Sequence, residues 1–226
     1  MKKLLLKTLK LALGLVIMGF SVAMSVHSNL GLSPWDVLHD GLSRLMGVQI
    51  GTASILLGFV ILAFDIAFKE KVGFATFINI LVVGGVCNLV LSSKILPDYF
   101  QYQGLEHLIP RLALCIGSMI LISFSMYLYM DVQWGAGPRD TLMVMLTRRT
   151  PLSVGGVRLS VEGIAFIAGF LMGGKIGLGS VILVALGGPI MGMMFRLLRF
   201  DVTKLKNESI PETIKIWRTA MSKQPQ

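Results

Sequence analysis

The sequence predicts an all-α, polytopic membrane helical bundle: six transmembrane spans as two inverted three-span repeats, each with a short interfacial or re-entrant helix. Three observations predict it. Of the 226 residues, 54% are hydrophobic and 15% are charged, and the mean hydropathy is +0.75, values foreign to soluble domains. The apolar residues fall in runs long enough to cross a bilayer as helices. Finally, GLSPWDVLHDGLSR (residues 31–44) returns as GAGPRDTLMVMLTR (135–148), 104 positions later and without a gap.

The six spans are expected at about residues 9–28, 51–68, 73–92, 112–130, 154–173 and 177–198. They form a single transmembrane domain over residues 1–200, with repeat one at about 8–92 and repeat two at about 112–198. The first span follows Lys2 and Lys3 and superficially reads as a signal peptide. Its match to the fourth, Phe20-Ser21 with Phe124-Ser125, makes it part of the fold.

Between residues 31 and 88, eleven positions are identical to the residue 104 further on: Gly31, Pro34, Asp36, Leu38, Leu42, Arg44, Gly51, Lys71, Gly73, Ile78 and Gly84. Apolar stretches agree by chance, whereas Pro, Asp, Arg and Lys rarely do, so duplication is the expectation. An odd number of spans per copy then turns the second copy over. With the N-terminus inside, 16 of the 21 basic residues fall on the cytoplasmic side. Arg44, Lys94, Arg111 and Lys175 fall outside, and Arg158 falls within a span. The positive-inside rule therefore places both termini in the cytoplasm.

The duplicated motif starts a helix. Ser33 and Gly137 are suited to the N-cap, Pro34 and Pro138 to the first helical position, and Asp36 and Asp140 to the third. A carboxylate there faces free N–H groups and the positive end of the helix dipole. The resulting helices, about 34–46 and 138–149, are too short to span. The first is amphipathic, with Trp35, Leu38, Leu42 and Leu45 on one side and Asp36, His39, Asp40 and Ser43 on the other. These aspartates read either as caps that fix a turn or, with Trp35 and Arg139 beside them, as the lining of a vestibule on each face. His39 reads as an interfacial polar residue.

Charge inside the membrane is more telling. Arg158 and Glu162 stand four apart in the fifth span, with Glu162 close to midplane, and should face the bundle interior. The matching residues of the second span are Ser54 and Gly58, with Asp65 further along. The pair is either an internal salt bridge or a site where Glu162 binds a cation or proton and Arg158 tunes it. Val83-Gly84-Gly85 aligns with Gly187-Gly188-Pro189, predicting matching helix breaks at Gly84, Gly85, Gly188 and Pro189. Asn79 and Asn88 either line the same region or hydrogen-bond across helices. The candidate substrate or ion pathway is thus Glu162, Arg158, Asn79, Asn88 and Asp65.

The remaining segments are peripheral. Residues 93–110 link the halves, with Tyr99, Phe100 and Tyr102 suited to the interface. The short basic tail, 201–226, repeats Ile210, Ile214, Trp217 and Met221 at helical spacing, as an amphipathic helix on the inner leaflet would. Cys87 and Cys115 read as small buried hydrophobes. The formal charge of +9 has no nucleic-acid motif or basic groove to accompany it, so the lipid bilayer is the expected partner. No HExxH, GxSxG, CxxC cluster or phosphate loop is present, which argues against an enzyme and points to no metal or cofactor.

The motif G-x-x-P-x-D, given twice as GLSPWD and GAGPRD, resembles the YczE/YyaS/YitT family of bacterial integral membrane proteins over about residues 8–200. The chain lacks the soluble C-terminal domain of YitT-type members and so is closer to the YczE type. The resemblance implies a multi-pass protein of the bacterial plasma (inner) membrane and implies no substrate. The leading expectation is a small-solute secondary transporter or permease working with two inverted halves. The alternative is a non-transporting scaffold that binds another protein. Substrate, coupling ion and any homo-oligomer are left open.

Overall fold

The computed structural model describes residues 2–93, 95–97 and 104–201, together with Thr213. The expected roles of Tyr99, Phe100 and Tyr102, and of the tail helix built on Ile210, Ile214, Trp217 and Met221, lie outside the described residues. Among the described residues there is no strand. The helices are α1 (Lys2–His27), α2 (Pro34–Met46), α3 (Ile50–Ala67), α4 (Phe74–Ser92), α5 (Leu108–Asp131), α6 (Pro138–Arg149), α7 (Val154–Leu171) and α8 (Leu178–Leu197). A 3-10 turn at Leu105–His107 leads into α5. Six helices (α1, α3, α4, α5, α7 and α8) are long and apolar enough to cross a membrane.

The ends of the short helices follow their sequence. The Ser33 hydroxyl caps α2 by accepting from the Asp36 N–H, and Pro34 occupies the first turn. The helix stops at Gly47, whose φ of 66° is the left-handed conformation that glycine adopts without strain. Helix α6 begins with the same extended N-cap backbone and first-turn proline, at Gly137 and Pro138, but without a side-chain cap. Two buried serines of α1 and α5 return their hydroxyls to their own helix: Ser21 donates to the Ile17 carbonyl at 2.6 Å and Ser125 to Ile122 at 2.7 Å. They can therefore be buried among apolar neighbours without an orphaned donor.

Helices α1 and α5 pack along each other at the centre, with α4 against α1 and α8 against α5. Helix α2 packs on α7 and α3, and α6 on α3 and α7. Four of the ties between these elements form two reciprocal pairs. Lys7 Nζ donates to the Val132 carbonyl at 3.1 Å, and Arg111 Nε to the Ser28 carbonyl at 2.8 Å. The Gly179 N–H donates to the Leu30 carbonyl at 2.7 Å, and the Ala75 N–H to the Trp134 carbonyl at 3.0 Å. In each case the donor and the acceptor of one bond both lie 104 positions from the corresponding atoms of the other. Positive φ recurs in the same register, at Asn29 and Gln133 and at Gly31 and Gly135. At Gly31 a side chain would collide with the backbone of Gly177, and at Gly135 with Gly73.

One expectation is corrected. Helices α4 and α8 run through Gly84-Gly85 and Gly188-Pro189 without a break. A proline forfeits one backbone bond, and in apolar surroundings the remaining bonds of the ladder have no competing partner. Helix α2 turns part of its polar side inward. Asp36 and His39 are 5% and 2% exposed, while Leu45 is 70% exposed. In a bilayer the apolar side of a helix has nothing to gain by hiding, so the polar side points inward to other polar groups.

Candidate functional site

A cavity of about 340 Å³ lies between the two halves. Both duplicated motifs reach it: Pro34, Trp35 and Asp36 from α2 and Pro138, Arg139 and Asp140 from α6 line the same space. The separate vestibules expected from the sequence are therefore one chamber. Most of the lining falls in pairs 104 positions apart, among them Trp35 with Arg139, Ser54 with Arg158, Gly58 with Glu162, Val83 with Gly187 and Cys87 with Met191. The spacing places polar or small residues of one half opposite charged ones of the other.

Each charged group has a defined setting. On α7, Arg158 Nε donates to Glu162 Oε1 at 2.9 Å, the i, i+4 pair expected from the sequence. On α2, Asp36 accepts the Ser33 hydroxyl at 2.6 Å and lies 3.4 Å from His39 Nδ1. Burial alone would raise the Asp36 carboxyl, but the His39 ring, Arg139 and Ser33 together hold it below the ordinary range. Burial and the nearby Arg139 charge lower the pKa of His39. On α6, Asp140 Oδ2 accepts the Tyr129 hydroxyl at 2.8 Å. Burial raises the Asp140 carboxyl despite Tyr129, Arg139 and the Gly137 N–H. Arg139 spans the halves: its Nη2 is 2.9 Å from His39 Nε2, and its guanidinium lies 4.7 Å from the centre of the Trp35 ring.

The structure sorts the predicted residues. Glu162, Arg158 and Asn79 line the cavity, as do Pro34, Asp36, Pro138, Asp140, Gly84 and Gly188. Asn88 and Asp65 stand elsewhere. The Asn88 amide accepts from the Gly51 N–H at 2.8 Å and donates to the Thr52 hydroxyl at 2.9 Å, binding α4 to α3. Asp65 is fully buried, and neither carboxylate oxygen has a hydrogen-bond partner among the described residues. His39, expected at an interface, belongs to the cavity wall, and its place three residues after Asp36 on one face was the available signal. Tyr129 was not anticipated, since nothing around a tyrosine at the end of an apolar run marks its partner. Cys87 and Cys115 are buried free thiols. Among the described residues, no group of three or more His, Cys, Asp or Glu could hold a metal ion.

Six apolar helices around a charged internal cavity define a polytopic membrane protein. The model of a family of unknown function (DUF6198) matches residues 5–196, and the chain belongs to that family. It is 32% identical over 193 residues to an uncharacterized protein of Haemophilus influenzae, covering 85% of each chain. It is 32% identical over 186 residues to the uncharacterized membrane protein YczE of Bacillus subtilis, covering 79% of this chain and 80% of that one. The protein YyaS of the same organism is 24% identical over 188 residues, covering 82% of this chain and 90% of that one. No solved structure matches.

Proposed function

We propose that this protein is a small-solute secondary transporter or permease of the bacterial inner membrane, built from two inverted halves with both termini in the cytoplasm. The observation that carries the reading is the cavity between the halves, lined by residues paired 104 apart and charged chiefly in one half. Charge in a membrane interior is costly, so a chamber that keeps Arg139, Arg158 and Glu162 is suited to handling a polar solute. The reciprocal bonds support inversion, because a two-fold arrangement makes residue i of one copy meet j of the other and j meet i. If α2 and α6 start from opposite sides, their meeting in one chamber makes both re-entrant.

The test is flux. Pure protein in liposomes should move a small solute, and Glu162→Gln should abolish the movement while preserving the fold. Absence of flux over a broad solute panel, with unaltered behaviour of the variant in cells, would favour the scaffold reading. Orientation has a separate test: a reporter fused after Lys71 should read cytoplasmic and one after Lys175 external. The same side for both would break the inverted arrangement.

A further inference from the structure

Arg139 lies in the field of Asp36, Asp140 and Glu162 but forms a direct ion pair with none of them. Glu162 pairs with Arg158, Asp36 has Ser33 and the His39 ring, and Asp140 has the Tyr129 hydroxyl. No carboxylate among the described residues lies within ion-pair distance of Arg139. Its polar contact is the ring nitrogen of His39 at 2.9 Å, and its flat face covers Trp35. For that nitrogen to accept, the ring proton must sit on Nδ1, facing Asp36, so His39 is neutral in this arrangement. A guanidinium carries five N–H donors in a rigid fork, and one imidazole nitrogen occupies one of them. A fork left largely unused, on the wall of a chamber large enough for a small molecule, matches the two oxygens of an oxyanion. The first turns of α2 and α6 line the same chamber and add their positive dipole ends.

We propose that the cavity binds a small oxyanion, carboxylate or phosphate-like, held in bidentate fashion by Arg139, and that Asp140 carries a proton coupled to it. Asp140 follows Arg139 on α6. The other titratable groups around it are Tyr129 on α5, Arg158 and Glu162 on α7, and Asp36 and His39 on α2. With Asp140 ionised, its charge opposes an incoming anion on the neighbouring side chain. With Asp140 protonated, that opposition is gone and the Tyr129 hydroxyl still has an oxygen to donate to. Anion and proton then strengthen each other's binding, by linkage to the same extent. The binding site stands on its own geometry; that the anion and proton cross together rests on the transport reading above.

The experiment uses the purified full chain in detergent, with acetate, inorganic phosphate and sulfate as probes and tetramethylammonium as the cation control. Thermal unfolding and tryptophan fluorescence report binding. At least one anion should raise the unfolding midpoint and alter the fluorescence, while the cation does neither. Arg139→Gln should weaken that anion at least about tenfold, and Arg139→Lys, which keeps the charge but loses the fork, should fall between. After correction for the probe's own titration, acidification should tighten binding in His39→Gln and leave the double variant His39→Gln/Asp140→Asn unmoved. Which anion responds separates carboxylate from phosphate-like ligands. Silence from all three anions, a response to the cation, or wild-type affinity in both Arg139 variants would overturn the site. Retained pH dependence in the double variant would overturn the proton carrier. In liposomes, Arg139-dependent binding without flux of the probe would sink the transport reading and keep the site; flux unchanged in Arg139→Gln would do the reverse.

Discussion

Helices α3 and α4 close on each other, whereas their counterparts α7 and α8 stand apart. Both pairs carry glycines in the same register, Gly51 and Gly84 against Gly155 and Gly188. In the first pair a Cβ on either glycine would strike the carbonyl oxygen of the other; in the second it would meet open space. The buried share of the spanning windows falls accordingly, from 39% and 33% in α3 and α4 to 17% and 11% in α7 and α8. Glycine therefore permits close approach and does not enforce it. What enforces it in the first half is the Asn88 side chain, which occupies the backbone N–H of Gly51 and the Thr52 hydroxyl. The matching residue in the second half is Gly192, which has nothing to donate. Arg158 and Glu162, in place of Ser54 and Gly58, add bulk and charge on the side that stays open. In the transport reading, this difference is what a conformational exchange between the halves would have to reverse.

The largest expected effect breaks the closed pair. Gly51→Leu and Gly84→Leu should each cost about 3 kcal/mol or more by overpacking against a backbone that cannot retreat. Gly155→Leu and Gly188→Leu should stay within about 0.5 kcal/mol. Denaturant unfolding in detergent measures both, and equal losses in the two halves would show that α7 and α8 also close. Asn88→Leu comes next, at about 1–2 kcal/mol for two lost bonds across helices. Gly192→Ala should be near neutral, and parity between these two variants would remove the asparagine tie as the cause.

Acid probes the other asymmetric pair, His39 in α2 and Met143 in α6. The His39 pKa lies below its ordinary 6.5, so near that pH the unfolded chain binds more protons than the folded one. Stability should therefore hold above pH 6.5 and decline as pH drops below it. His39→Gln should flatten the decline in a pH series of unfolding midpoints; an unchanged slope would assign the acid sensitivity elsewhere. Lys175→Ala is the smallest change. Its exposed ammonium donates to Asn29 at 3.2 Å, and the loss should be about 0.3 kcal/mol, readable in the same assay.

Much of this was legible in the chain. The α3 and α7 spans, the caps at Ser33 and Gly137, and the Arg158–Glu162 pair follow from periodicity and short-range stereochemistry, which act within a few residues. The contacts of the site were harder to read. Asn88 was equally consistent with a pathway and with a helix tie, because an amide offers the same donors and acceptors to either. Tyr129 and Asp140 are eleven residues apart on different helices, and His39 and Arg139 are a hundred apart, so no local pattern links them.

By itself the sequence determined an all-helical membrane protein with six apolar spans, two short helices opened by proline and aspartate, and the Arg158–Glu162 ion pair. Hydrophobic length and first-turn hydrogen bonding decide these, and both are local properties. Tertiary structure alone decided that the two short helices meet in one chamber, that α2 turns part of its polar side inward, and that α3 and α4 close where α7 and α8 do not. Those outcomes depend on which backbones can approach and which buried polar groups find partners, quantities that exist only once distant segments are in contact.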